Sequence, residues 1–365
     1  MTEFSGNRGE WSEPYVLLKL LADGELALGD SNLNKIKGLI LPILSILREE
    51  RSQKFSYSNN KQNVVIELAG RNLFQIAVNE FKEKAEFLLK SIKVGALKGS
   101  EKKGSFTIPE IEDFLRQIGC TKLSEKSQSK SDIHIVVHDV RTGLCPLLGF
   151  SIKSELGSKA TLFNASQATN FTFEIPNWNN EFTESVNSID DKKGKVQKRI
   201  AKIRELGFDL KFSHVDGPIF RNNLMLIDSK MPEILVEMIN AYYSGEDASV
   251  SELTQIACSI NPNNYDKQHK HQFYAYKIKR FLNDSALGMV ATTVWQGKYD
   301  ATGGYLVVKN DGEIVCYHIY SKNEFEDYLF FNTKFDTPST TKHKFACIYE
   351  EGGRFFFKLN FQIKI

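Results

Sequence analysis

A chain of 365 residues, 41% hydrophobic and 12% aromatic, can bury a sizeable core in one large domain or two ordinary ones, which excludes global disorder. Its formal net charge of +2 neither demands nor forbids a polyanionic partner, because a near-neutral protein can still carry a basic face. Five scattered cysteines, a polar N-terminus and a longest apolar run, Leu39–Leu47, interrupted by Pro42 argue against a disulfide framework, a signal peptide and a membrane span, and fit a cytoplasmic protein.

In chain order, Ser12 reads as a helix cap with Pro14 in the first turn, followed by the apolar run Tyr15–Leu21. Gly24 and Gly29 end that segment. The pattern then predicts a second helix over 33–51, a short strand over 63–68, and a third helix over 72–92 from the spacing of Phe74, Val78, Phe81, Ala85 and Leu88. Loops are expected at 98–103 and 124–131, with a Pro109-led helix between them. Residues 131–154 read SDIHIVVHDVRTGLCPLLGFSIKS, two alternating runs that predict a strand pair.

Further on, helices are expected over 192–206, 232–243 and 271–282, with a strand at 224–227. Asn310-Asp311-Gly312 predicts a hairpin between 305–309 and 313–320. Ser321 and Glu324 make a capping-box pattern before Phe325–Phe331. A last hairpin joins 344–349 to 354–365 through Glu350–Gly353. The fold class is α+β, or mixed α/β, ending in β-rich hairpins. The expected division is a core over 1–260 and a C-terminal α+β region over 261–365 that contributes to recognition.

The strand pair carries the chemistry. Alternate side chains share a face, so Asp132, Ser151 and Lys153 fall together, while Ile133, Ile135, Val137 and Phe150 face a core. Phosphodiester hydrolysis needs these types. A hard cation such as Mg²⁺ neutralises charge developing at phosphorus and acidifies bound water. It takes oxygen ligands, here the Asp132 carboxylate and the Ile152 carbonyl. A lysine beside it stabilises the developing negative charge. An amphipathic hairpin of the same make-up also occurs on inert surfaces.

DNA contacts have several candidates. Seven cations fall within the thirteen residues 192–204, and Lys195, Arg199 and Lys202 line one helical face that suits phosphates. Lys342, Arg221 and Arg141 are candidates for reading guanine in the major groove. The Ser/Thr-rich loop 339–341 suits phosphates. Asn164, Gln167 and Asn170 suit either base edges or turn capping. His269 and His271 have no cysteine nearby, so a zinc site is not expected.

The hairpin resembles the PD-(D/E)XK nuclease core, a mixed central sheet flanked by helices, with Ser131 in place of the proline and Ser151 in place of the second acid. Segments at 5–24, 149–166, 169–171, 277–290, 295–329, 338–345 and 357–365 extend the resemblance along the chain to the HpaII family of type II restriction endonucleases. The resemblance implies Mg²⁺-dependent cleavage of double-stranded DNA at a short palindrome, with CCGG suggested, by a homodimer or by a monomer nicking each strand in turn. It also implies a partner DNA methyltransferase that protects the same site. It makes Asp132 the primary metal ligand and Lys153 the catalytic lysine, with Ser151 at the second-acid position. The missing carboxylate is then sought at Glu13 or Glu10 at the start of the first helix, ahead of Glu155 and Glu174. Dipole complementarity also explains acids at a helix start. The alternatives are a repair or structure-specific nuclease on the same core, and a sequence-specific DNA-binding protein without catalysis.

Overall fold

The computed structural model describes residues 4–50, 52–98, 105–124 and 131–365. Of the loops expected at 98–103 and 124–131, residues 99–103 and 125–130 lie outside the described residues. The chain is mixed helix and sheet and forms two compact units, residues 1–160 with 299–328 and residues 161–298 with 329–365. Both are discontinuous in sequence, so the compact units do not divide near residue 260.

The first unit is built on helices α1 (Arg8–Asp23), α2 (Val78–Lys98) and α3 (Pro109–Gln117), and on strands β1 (Glu25–Gly29), β2 (Lys35–Glu50), β3 (Gln53–Asn59), β4 (Asn63–Leu68), β5 (Arg71–Ala77), β6 (Ile133–Val137), β7 (Leu147–Ser154), β8 (Gly304–Val308) and β9 (Ile314–His318). They make a nine-stranded sheet in the order β1-β9-β8-β7-β6-β2-β3-β4-β5. The pairs β2–β6, β6–β7 and β8–β9 are antiparallel, and β7–β8 is parallel. β1 pairs with β9 on one side and with the first half of β2 on the other.

The expected helix over 33–51 is instead the sixteen-residue strand β2. Leu41 and Ile43 are buried, then Ile46, Arg48 and Glu50. The phase changes at an irregularity between Ile43 and Ser45, where a bulge inserts one residue. That break hides the period of two. Its first half pairs with β1 and its second half with β6 and β3. The helix expected over 72–92 begins only at Val78, because Arg71–Ala77 pairs with β4 as β5.

α1 starts earlier than expected. Its cap is Asn7, whose side chain accepts from the Glu10 backbone while the Glu10 carboxylate accepts from the Asn7 N–H at 2.7 Å. Ser12 lies inside the helix, fully buried. Trp11, Tyr15, Val16, Leu18 and Leu21 are buried around its circumference, as expected of a helix enclosed on several sides. α1 packs on α2 and β7. The Trp11 indole donates to the Phe106 carbonyl at 2.9 Å, and Tyr15 donates to the Gly312 carbonyl at 2.5 Å.

In the second unit, strands 211–215, 171–174, 354–359 and 348–351 form one sheet, and 161–163, 362–364 and 334–336 another. Phe163, Phe220 and Phe361 pack face to face, with Phe163 5.4 Å from Phe220 and 5.6 Å from Phe361 between ring centroids. The strand expected at 224–227 is the end of helix Pro218–Ile227, and a helix at Val250–Ile260 escapes the sequence reading. Asn360 is fully buried; its amide donates to the Ser166 carbonyl and to Asn170 Oδ1, and its Oδ1 accepts from Thr169. Asn170 in turn donates to the His343 carbonyl at 3.0 Å. Asn170, a candidate for base edges, is therefore a buried brace between loops. Among the described residues no helix is long and apolar enough to cross a membrane.

Candidate active site

The site lies in the first unit, where β7 runs past the start of β6. Asp132 immediately precedes β6, and its backbone N–H donates to the Phe150 carbonyl at 2.8 Å. One carboxylate oxygen, Oδ2, accepts from the Ile152 N–H at 2.7 Å and from the Ser151 hydroxyl at 3.1 Å. The side chain thus occupies a backbone donor of β7 beyond the N-terminal end of β6. Among the described residues Oδ1 accepts no hydrogen bond. Ser131 packs behind, its hydroxyl donating to the Asp300 carbonyl at 2.8 Å. A Cβ on Gly149 would lie 2.3 Å from Ser131 Oγ, so only glycine lets this turn sit against β7.

Ser151, expected at the second-acid position, is buried and spends its proton on Asp132. Its place in the site is as an orienting donor to that carboxylate. Lys153 lies two residues further along the same face, half-buried, with Nζ 4.9 Å from the centre of the Tyr305 ring. Burial draws its pKa below the ordinary lysine value, and the Asp132 carboxylate opposes that shift. Tyr305 is buried on β8, in register with Ser151. Burial, then the Asp132 charge, holds its phenol well above the usual range.

Tyr305 is the residue that sequence reading missed. It is distant along the chain from Lys153, and only the parallel pairing of β7 and β8 brings it there. A cation over an aromatic face is stabilised by roughly 1–2 kcal/mol when desolvated, enough to fix where the ammonium sits. Tyr305→Leu is expected to lower kcat about tenfold with KM unchanged, by that magnitude, while Tyr305→Phe keeps the ring and most of the rate. Steady-state cleavage of a short duplex measures both.

The two acids proposed on α1 separate. Glu10 is committed to the capping box with Asn7. Glu13 lines a small recess together with Asp132, Leu17, Ile46, Arg48 and Ile133. That half of α1 is held against the end of β7, where the Ser12 hydroxyl donates to the Arg8 carbonyl at 2.8 Å and shares a hydrogen bond with the Ser154 hydroxyl at 2.7 Å, and Arg8 reaches the Leu156 carbonyl at 2.7 Å. Arg48 forms the far wall; it is buried against Glu50 at 2.6 Å and donates to the Lys122 carbonyl. Glu155 points elsewhere, accepting from the Asn310 N–H at 3.3 Å, and Glu174 belongs to the second unit, paired with Arg354.

The described residues contain no group of three or more His, Cys, Asp or Glu side chains gathered as a ready metal cage. Asp132 and Glu13 around one recess, with the Ile152 backbone beside them, form a sparse oxygen set. Such a set suits Mg²⁺, which keeps several waters and uses one or two carboxylates.

The DNA candidates also sort by environment. Arg199 is buried; its guanidinium donates to the carbonyls of Asn187, Ile189 and Ala346 and to Cys347 Sγ. It is a cross-brace and cannot present a free fork to DNA, because its donors are spent on the fold. Arg199→Ala is expected to cost roughly 3 kcal/mol of stability, from carbonyls left without donors, as read by urea unfolding. Lys195 pairs with Asp190 at 3.1 Å and Lys202 with Glu205 at 2.9 Å. Lys342, Arg221, Arg141 and Asn164 are exposed. Arg141 stands in the β6–β7 turn, where Asp139 accepts from its backbone N–H.

A family model described as HpaII restriction endonuclease matches residues 7–365. The chain is 54% identical over 367 residues to the type II restriction enzyme HpaII of Haemophilus parainfluenzae, covering 100% of this chain and 99% of that protein. No solved structure matches. The chain belongs to the HpaII family of type II restriction endonucleases.

Proposed function

We propose that this enzyme hydrolyses double-stranded DNA at CCGG with Mg²⁺, from a PD-(D/E)XK-type centre made of Asp132, Glu13, Ile152 and Lys153. The observation that carries the reading is the shared recess of Glu13 and Asp132. It supplies the second carboxylate that Ser151 cannot. The strand arrangement supports the core assignment: β2, β6 and β7 are antiparallel neighbours, β8 is parallel to β7, and α1 packs on β7.

Asp132, Glu13 and the Ile152 carbonyl would hold the cation. When bound, it neutralises charge at the scissile phosphate and lowers the pKa of its water. The protein's own groups then have distinct tasks. The Ile152 N–H and Ser151 hydroxyl fix Oδ2 of Asp132, which leaves Oδ1 available as a ligand. Lys153 Nζ holds a proton beside the phosphate and stabilises the negative charge that builds there during in-line attack. Its lowered pKa brings proton transfer closer to working pH. Tyr305 limits the excursion of that ammonium. The products are 5′-phosphate and 3′-hydroxyl ends. The first unit holds this chemistry, and we assign DNA recognition to residues of the second unit together with Arg141.

Digestion of a sequenced plasmid tests the reading. Discrete fragments whose ends map to CCGG in Mg²⁺, and none in EDTA, are expected. Nonspecific degradation would favour a repair or structure-specific nuclease, and binding without cutting would favour a DNA-binding protein without catalysis.

A further inference from the structure

The second unit contains a cavity of about 450 Å³ lined by residues including Lys195, Arg199, Thr340, Lys344, Tyr349 and Lys358. Two segments bring it together that are far apart in sequence: the basic helix Lys195–Glu205, and the loop and short helix around Thr340–His343. Arg199 locks them, since it donates to the Ala346 carbonyl at 2.6 Å from within the basic helix. The cavity's position is therefore built into the fold.

Its charge is one-sided. Four cationic side chains line it, and no carboxylate does. Two carboxylates pair with these cations, Asp190 with Lys195 at 3.1 Å and Asp216 with Lys358 at 2.6 Å. The Asp190 side chain is 83% exposed, so its hold on Lys195 is a weak surface pair that an incoming anion can displace. Lys358 also lies 5.1 Å from the Tyr349 ring centre, which keeps its ammonium at the wall. Lys344 is exposed, in a left-handed turn at φ 52°, with no carboxylate within ion-pairing distance among the described residues. Four positive charges against two negative leave a surplus of two. The Thr340 and Thr341 hydroxyls add neutral donors on the same wall.

We propose that this cavity is a phosphate-binding pocket through which the second unit grips the backbone of the DNA duplex, with Lys344 and Lys195 as its principal contacts. The proposal rests on the reading of the enzyme as a DNA nuclease. It differs from the sequence expectation in its members: Lys344 and Lys358 enter, Arg199 serves as the brace, and Lys202 and Lys342 do not line it. Phosphate contacts position a duplex without reading its sequence, so the pocket sets affinity and register and leaves base choice to other residues.

The test is the salt dependence of duplex binding by the full chain, in EDTA to prevent cutting. Fluorescence anisotropy of a labelled CCGG duplex is measured for the wild type, for Lys195→Gln with Lys344→Gln, for Lys195→Arg with Lys344→Arg, and for the control Lys230→Gln. Each phosphate contact contributes about 0.9 to the slope of log K against log salt. The double glutamine variant is expected to lose roughly 1 to 2 from that slope, and about tenfold in affinity at low salt. The double arginine variant and Lys230→Gln should keep the wild-type slope, and the control Lys230→Gln should also keep the wild-type kcat. A glutamine variant with wild-type slope and affinity overturns the pocket, as does an arginine variant that loses as much as the glutamine one. Both outcomes leave the nuclease reading intact if the wild type still cuts at CCGG. A wild type that neither binds nor cuts duplex removes the nuclease reading itself.

Discussion

Asp132→Ala abolishes cleavage in this account, with a loss of at least about 10³-fold in single-turnover rate, while duplex binding stays measurable. Two separate effects contribute. The cation loses its principal anionic ligand. The Ile152 N–H and the Ser151 hydroxyl also lose their acceptor, which costs about 1 kcal/mol or more at a partly buried site and loosens the end of β7. Asp132→Asn separates them. The amide oxygen still accepts from Ile152, so the strand geometry and melting temperature should be kept, yet the negative charge is gone. The asparagine variant should therefore fold as the wild type does and cut as poorly as the alanine variant. If it cuts at near wild-type rate, the Asp132 carboxylate is not a metal ligand.

Lys153→Ala should produce a loss of comparable kind, about 10²- to 10³-fold in the chemical step, with duplex affinity within a few-fold of wild type. The reason is geometric. Lys153 is half-buried above Tyr305 and beside Asp132, so its charge belongs to the proposed centre around Asp132. Removing a half-buried cation also relieves a desolvation cost, so stability should be unchanged or slightly raised. Pre-steady-state cleavage, urea unfolding and anisotropy together distinguish this from a fold defect. A variant that binds poorly but cuts normally once saturated would make Lys153 a phosphate contact instead of a catalytic group.

What the sequence discloses about this centre, and what it hides, follows from the range of the interactions involved. The β6–β7 pair was readable because its alternation is local: Ile133, Ile135 and Val137 are buried as expected, and the neighbouring polar positions bring Asp132 to Ser151. The hairpin at Asn310-Asp311-Gly312 was readable for the same reason. β2 was not, because the bulge beside Leu44 shifts its period and its Leu/Ile-rich run matches either structure. The helical-face reading grouped Arg199 with Lys195 and Lys202, but spacing alone does not say which face is outward. Val196, Ile200 and Ile203 turn the Arg199 side inward. Tyr305 was hidden because it reaches the site through parallel pairing of strands remote in sequence. Glu10 and Glu13 were equal on sequence. The Asn7–Glu10 capping box, one residue pattern earlier than the cap read at Ser12, is what distinguishes them.

That distinction is the most direct point at which to test the account, whose central claim is that helix α1 supplies the missing acid through Glu13. The measurement is the single-turnover rate on a CCGG duplex across a Mg²⁺ titration, for Glu13→Gln and Glu10→Gln side by side. Glutamine at residue 10 still satisfies the capping box, so that variant should cut within about threefold of wild type, about 0.6 kcal/mol. Glu13→Gln should lose about 10²-fold or more and need higher Mg²⁺ to reach its plateau. Wild-type cleavage and wild-type Mg²⁺ dependence in Glu13→Gln would contradict the account, because Asp132 would then be working with a carboxylate other than the one that shares its recess.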